Sequence, residues 1–155
     1  MRPTRAALGF AAFLAAVAFA VNAGYAQPHA EHYEKCAQAC NDCQRSCDSC
    51  AAHCAHLLAE GKKEHLTTLR TCQDCATHCS AAACIVSRHG PFADLICQAC
   101  AEACVRCGKE CQKHSEDEHM KKCAEECKKC EKACREMLKR TDKRSAERKT
   151  ERKDS

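Results

Sequence analysis

Cysteines occupy the positions at which an amphipathic helix would carry its apolar side chains. Over residues 36–54, 97–111 and 123–134 they recur at alternating steps of three and four, and polar residues such as Asp42 and Lys109 stand between them. Steps of three and four mark the a and d positions of a heptad, which a helical bundle turns towards its core. The pattern therefore predicts helices whose inner faces are lined with cysteine.

Three breaks divide this region into four predicted helices. They fall at Gly61, at Gly90-Pro91 and at the stretch that starts with Ser115, where Ser115 as N-cap and Glu118 at N3 form a capping-box pattern. Short loops make consecutive helices antiparallel neighbours. The prediction is an all-α, up-down-up-down four-helix bundle with a cysteine-lined core, its helices covering about 30–59, 63–88, 92–113 and 116–140.

Composition excludes an ordinary aliphatic core. Residues 27–155 contain only six Leu, two Ile, two Val and one Phe, whereas the whole chain has 19 cysteines. So few aliphatic residues are typical of chains that do not fold, unless another apolar side chain replaces them. The formal net charge is +4, and the charged residues form no long run of one sign. This distribution argues against a nucleic-acid partner.

The N-terminus has the pattern of a secretory signal. Arg2 and Arg5 precede an apolar run of 16 residues, Ala6 to Val21, and small residues lead up to a predicted cleavage after Ala26. That run is shorter than the roughly 20 residues that cross a bilayer, so we expect a periplasmic protein with no membrane contact after cleavage. The predicted organisation is a signal peptide at 1–26, the bundle at 27–140 and a charged, disordered tail at 141–155.

Three roles could explain so many core cysteines. Space filling needs no thiol, since Ala, Leu and Val pack without oxidising. Disulfide stapling is disfavoured because 19 is odd and close-spaced cysteines offer many alternative partners. The third role is metal binding, in which the thiolates are ligands for Cu(I), Zn(II) or an iron–sulfur cluster. Iron–sulfur clusters use loop cysteines, and zinc favours closed four-ligand cages, whereas a CxxxC pair on a helix suits a low-coordinate Cu(I) ion.

All cysteines are candidate ligands, although one falls off the inner stripe. Cys84 breaks the spacing of the second helix, and we keep it as a candidate on a shifted helix. The candidate thiols are Cys36, Cys40, Cys43, Cys47, Cys50, Cys54, Cys72, Cys75, Cys79, Cys84, Cys97, Cys100, Cys104, Cys107, Cys111, Cys123, Cys127, Cys130 and Cys134.

The two ends of the predicted bundle differ. His65, His114 and Met120 fall on inner-face positions at one end, where exchangeable ligands would form an entrance for copper. His53, His56 and His119 lie nearby, off the inner face, and we interpret them, together with His78, as solvated. The opposite end is expected to be closed by larger side chains, which are Tyr33, Val86, Met137 and, close by, Phe92.

The spacing resembles that of a known family. The motif CxxxCxxCxxxCxxCxxxC from Cys36, the Gly90-Pro91-Phe92-Ala93 turn before CxxCxxxCxxCxxxC, and CxxxCxxCxxxC ending at Cys134 are similar to those of cysteine-rich four-helix-bundle copper storage proteins. The resemblance covers residues 31–138. It implies many Cu(I) ions per chain, folding before loading and, in exported members, a homotetramer.

Residues and resemblance together predict an exported, non-enzymatic Cu(I) store. Zinc or general heavy-metal sequestration is the nearer alternative. A thiol oxidoreductase using a pair such as Cys72 and Cys75 is the more distant one, because such pairs lie at a helix start within a βαβ unit.

Overall fold

The computed structural model describes residues 30–151, and the predicted signal peptide lies outside them. Helix α1 covers Ala30–Ala59 and is followed by a 3-10 turn, Lys63–His65. The remaining helices are α2, Leu66–Ser87, α3, Ala93–Gln112, and α4, Glu118–Glu151. Within this part of the chain there is no strand, and no helix is long and apolar enough to cross a membrane.

The four helices form the predicted antiparallel bundle. Each packs against its neighbour in the chain, and α4 closes the ring against α1. Cys36, near the start of α1, lies 4.0 Å from Cys134 at the middle of α4, whereas Cys47, further along α1, lies 3.7 Å from Cys123, near the start of α4, measured between the sulfur atoms. Cys50, late in α1, groups with Cys72, early in α2. Neighbouring helices therefore run in opposite directions, as the short loops predicted.

Small side chains fill the core along most of its length. Cysteine and alanine supply nearly all its buried side chains, and the larger Met120, Val86 and Met137 lie towards its ends. A neutral thiol packs as a small hydrophobe, which allows opposite helices to approach closely. The sulfurs of Cys43 on α1 and Cys104 on α3 accordingly lie 3.8 Å apart, across the centre of the ring.

Glycine is required at two of the predicted breaks. Gly61 has a φ of +89°, a conformation that L side chains rarely adopt. At Gly90 a Cβ atom would lie 3.0 Å from the backbone oxygen of Ile85, which accepts a hydrogen bond from the Gly90 amide. These two loops confirm the breaks that separate α1 from α2 and α2 from α3.

The third break is present, but its predicted cap is wrong. Asp117 caps α4, and its Oδ1 accepts hydrogen bonds from the backbone amides of His119, at 2.9 Å, and Met120, at 3.3 Å. A capping oxygen reaches the amides two and three residues later, so the residue immediately before Glu118 fills this role. Ser115 lies too early, because residues 113–116 form turns.

The last helix is longer than predicted. We expected it to end near Arg140 and residues 141–155 to be a disordered tail, but α4 continues to Glu151. Residues 141–151 contain no Gly or Pro and are rich in Lys, Arg and Glu, which have high helix propensity. The absence of apolar periodicity gave no information about where the helix stops.

Because the buried thiols pack as neutral side chains, we predict that the reduced protein is helical before it binds metal. Its circular dichroism spectrum should be that of a helical protein and should change little on metal loading. A random-coil spectrum for the reduced, metal-free protein would contradict this prediction.

Candidate metal centre

A column of sulfur atoms runs through the bundle. Eighteen cysteines are buried, and all nineteen are free thiols. Sulfurs from different helices lie at hydrogen-bonding distance, for example 3.6 Å between Cys130 and Cys40 and 3.7 Å between Cys47 and Cys123. The a and d spacing thus places the thiols of all four helices on one axis, as the sequence predicted.

Along this column the thiols form groups of four whose sulfurs lie within 4.8 Å of one another. Consecutive groups overlap, so that one or two thiols belong to both. Five of these groups, in order from the end near Tyr33 and Met137 to the end near His65 and His114, are Cys40/Cys100/Cys130/Cys134, Cys43/Cys79/Cys104/Cys130, Cys43/Cys75/Cys104/Cys127, Cys47/Cys107/Cys123/Cys127 and Cys50/Cys72/Cys111/Cys123.

The overlap distinguishes low-coordinate Cu(I) from zinc. Five separate four-thiolate zinc sites would need about 20 ligands, but these five groups contain only 15 different cysteines. Each four-thiolate zinc site would also add two negative charges to a buried column, which is costly in a low-dielectric interior. Cu(I) accepts two or three sulfurs, and bridging thiolates can balance its charge.

Burial favours the protonated thiols in the absence of metal. It is the main cause that raises the pKa of the Cys54 thiol. Hydrogen bonds between thiols raise the pKa of some members of the column, such as Cys79, and lower the pKa of others, such as Cys111. Metal binding must therefore displace protons from the column, so we expect affinity to increase with pH.

Three buried thiols extend the column beyond the groups given above. Cys36 lies 3.9 Å from Cys97 at one end, again between sulfurs. Cys54 is fully buried on α1, one turn beyond Cys50 at the other end. The continuous set of thiols thus spans most of the length of the bundle.

Cys84 does not join the column. It is the exposed cysteine, and its side chain lies with those of Gln44 and Thr77 in a groove on the outer face of α1 and α2. At about 100° per residue, the five residues after Cys79 turn the side chain roughly 140° away from the inner face. Helix α2 is continuous from Leu66 to Ser87, so the shift that would have brought Cys84 to the core is not found.

The end formed by the α1–α2 and α3–α4 loops carries the predicted histidines. The rings of His65 and His114 lie 4.5 Å apart, and Met120 is fully buried on α4. Burial, followed by the proximity of His114, lowers the pKa of His65, which keeps the imidazole neutral and able to act as a ligand. Within residues 30–151, His65 Nδ1 has no hydrogen-bond partner. The structure therefore brings these candidate soft ligands to one end of the column.

The neighbouring histidines are more ordered than we expected. His53 Nε2 lies 2.6 Å from Asp117 Oδ2, and the His53 ring stacks on His119 with centroids 4.3 Å apart. The hydrogen bonds to His53 and to the α4 amides outweigh burial and lower the pKa of Asp117. Asp117 thereby ties the end of α1 to the start of α4, whereas His56 is exposed as expected for a solvated residue.

Sequence reasoning also missed Thr68. This side chain is fully buried, and its hydroxyl has no hydrogen-bond partner in the part of the chain that the structure describes. Thr68 stands four residues before Cys72, so the spacing of the inner stripe could have identified it. A hydroxyl thus occupies a core position on α2 between His65 and the first thiol of that helix.

The opposite end is closed mainly as predicted. Val86 and Met137 are buried, and Tyr33 stacks on His89 with centroids 4.2 Å apart. Phe92 is 63% exposed and does not contribute to the closure, so that part of the prediction was wrong. Phe92 immediately precedes α3, and Ala93 takes the buried position.

Comparison with known proteins identifies the family. The sequence model described as "Csp: Copper storage protein" matches residues 29–139, and the chain therefore belongs to this family. This confirms the resemblance drawn from the cysteine motifs.

Two solved structures agree in fold, and a third relative is similar in sequence. A cytosolic copper storage protein from Streptomyces lividans, solved with five coppers, is 36% identical with a TM-score of 0.65, over 70% of this chain and 93% of that one. The Cu(I)-bound copper storage protein BsCsp3 is 35% identical with a TM-score of 0.62, over 69% and 98%. The uncharacterized cysteine-rich protein YhjQ of Bacillus subtilis (strain 168) is 37% identical over 88 residues, or 56% of this chain and 79% of YhjQ.

Proposed function

We propose that this protein stores Cu(I), with many ions bound to each chain by the thiolates of the buried column. The observation that carries the proposal is the overlap of the four-thiol groups along the bundle axis. Family membership supports it, as does the presence of copper in the similar structures from S. lividans and in BsCsp3. The role is sequestration, and no catalytic step is required.

Each bound ion replaces thiol protons, and neighbouring ions share ligands. A CxxxC pair supplies two sulfurs one helical turn apart, and a facing helix supplies a bridging third. Cys43 and Cys47, for example, have sulfurs 3.9 Å apart, while Cys104 lies 3.8 Å from Cys43. With about one copper per bridging thiolate, the filled column stays close to neutral, which limits the cost of burying charge.

Zinc sequestration is the second candidate, because four thiols converge repeatedly along the column. Sharing limits how many such sites zinc could fill at once. A zinc store would therefore hold fewer ions per chain than a copper store and would use its thiols in separate sets.

We further propose that the protein is exported to the periplasm. The support is the charged start, apolar run and small residues of positions 1–26. Mass spectrometry of the protein recovered from a periplasmic fraction should give a mature chain that starts at Gln27. Recovery only from the cytoplasm, with residues 1–26 intact, would contradict export. The homotetramer implied by the resemblance stays a prediction.

Copper capacity is the primary test of storage. Anaerobic titration of the reduced protein with Cu(I), in competition with a chromophoric chelator, should give on the order of ten to eighteen ions per chain, depending on how many of the eighteen buried thiolates bridge. Cys84→Ser should have the same capacity, since its side chain lies outside the column, whereas Cys104→Ser should lose capacity. Binding of only one or two ions would refute the storage function.

The histidine end is proposed as the mouth of the column. His114→Ala combined with Met120→Leu removes two soft ligands but keeps most of the buried volume of Met120. This variant should load and release copper more slowly at nearly unchanged capacity. The matched change at the closed end is Tyr33→Leu with Met137→Leu, and its rates should equal those of the unmodified protein. If this second variant is the slow one, the mouth is at the other end.

A further inference from the structure

A groove between α2 and α3 leads from the surface to the middle of the thiol column. Its volume is about 520 Å³, and Cys75, with only 1% of its surface exposed, is among the residues that line it. Cys75 belongs to the third of the five thiol groups, with Cys43, Cys104 and Cys127. The groove therefore approaches the column far from either end.

Small side chains keep this groove open. Ala99 and Ala103 line it from α3, and Thr71 lines it from α2. The backbones of α2 and α3 also come close to each other at fewer positions than those of α1 and α2 or those of α3 and α4. A larger side chain at position 103 would fill the space above Cys75.

A histidine, His78, lines the groove together with Cys75. His78 follows Cys75 by three residues, so the two side chains lie on the same face of α2. Its Nδ1 is 2.9 Å from the backbone oxygen of Asp74, and since that oxygen can only accept, Nδ1 carries the proton. The lone pair is then on Nε2, the form in which a partly exposed imidazole binds a soft metal ion.

The charges around the groove favour a cation. Asp74, Glu102 and Glu110 line it together with one positive side chain, Arg106, whose Nε is 3.0 Å from Glu102. Glu110 also binds Lys113 Nζ at 2.6 Å, so three carboxylates stand against two cations, and the remaining small excess of negative charge raises the local concentration of cations.

The groove between α1 and α4 is a contrasting case on the same molecule. Its volume is about 630 Å³, and its charged side chains include as many basic as acidic residues. Its lining residues among those described are Asp42, Arg45, Ser46, Ser49, Glu118, His119, Lys122, Glu126 and Lys129, with no core cysteine. Size alone therefore does not make a groove an entrance to the column.

We propose that the α2–α3 groove is a second, lateral entrance, through which Cu(I) passes from His78 to Cys75 and so into the central thiols. This inference rests on the proposed storage function. Copper moves by ligand exchange with no change of oxidation state: the imidazole gives way to the Cys75 sulfur, and the thiol proton is released to water. A central entrance shortens the path that ions must travel to fill both halves of the column.

The test measures uptake rates with the mouth impaired. In protein carrying His114→Ala and Met120→Leu, Cu(I) is transferred from a chromophoric Cu(I)–chelator complex and the first equivalents are timed. We expect the further change His78→Ala to slow this uptake by about tenfold, as loss of a metal-contacting group commonly does. Ala103→Leu, which fills the groove, should have a similar effect, and final capacity should be unchanged in both.

Two control variants separate this effect from general surface changes. Ser49→Leu fills the α1–α4 groove, and His32→Ala removes a histidine at the closed end, so both should leave the rate unchanged. If His78→Ala and Ala103→Leu also leave it unchanged, there is no lateral entrance.

A second measurement locates the first ion directly. After one equivalent of Cu(I) is added to the mouth-impaired protein, free thiols are alkylated in denaturant and mapped by mass spectrometry. We expect protection to begin at Cys75 and its group, whereas protection that begins at Cys50 and Cys72 would overturn the lateral entrance. Total capacity, measured in parallel, reports separately on the storage function.

Discussion

Close packing of thiols against thiols is the interaction on which this fold depends. A cysteine side chain is small enough for four helices to converge until sulfurs meet across the axis, as Cys43 and Cys104 do at 3.8 Å. It is also apolar enough, when protonated, to serve as core. The same contacts that hold the bundle together in the absence of metal place the ligands within reach of a bound ion. Folding and binding therefore use one set of residues.

This double use constrains the rest of the molecule. Larger side chains such as Met120 and Met137 lie near the ends of the column, where they do not separate the thiols. The outer faces are charged, and pairs such as Lys129 with Glu126 and Arg135 with Glu131 follow the helical spacing. Such exposed pairs contribute little to stability, because water and salt screen the two charges. Stability thus has to come mainly from the core, and the ends and grooves are free to control access.

Periodicity predicted the bundle and most of its ligands, because burial of one helix face repeats along the chain. The same reasoning places Cys84 outside the thiol column once α2 is known to be a regular helix. The sequence alone did not decide whether that helix is regular. Periodicity could not predict contacts between particular side chains on different helices. The hydrogen bond between His53 and Asp117, for example, joins residues 64 apart in the chain. The true cap of α4 and its extension to Glu151 depend on local geometry that several patterns fit equally well.

X-ray absorption at the copper edge of the fully loaded protein tests the central claim most directly, since it reports which atoms surround the metal. A shared thiolate column predicts Cu(I) bound by two or three sulfurs, with other copper ions as near neighbours. A first shell made mainly of nitrogen or oxygen, or isolated ions without copper neighbours, would contradict it.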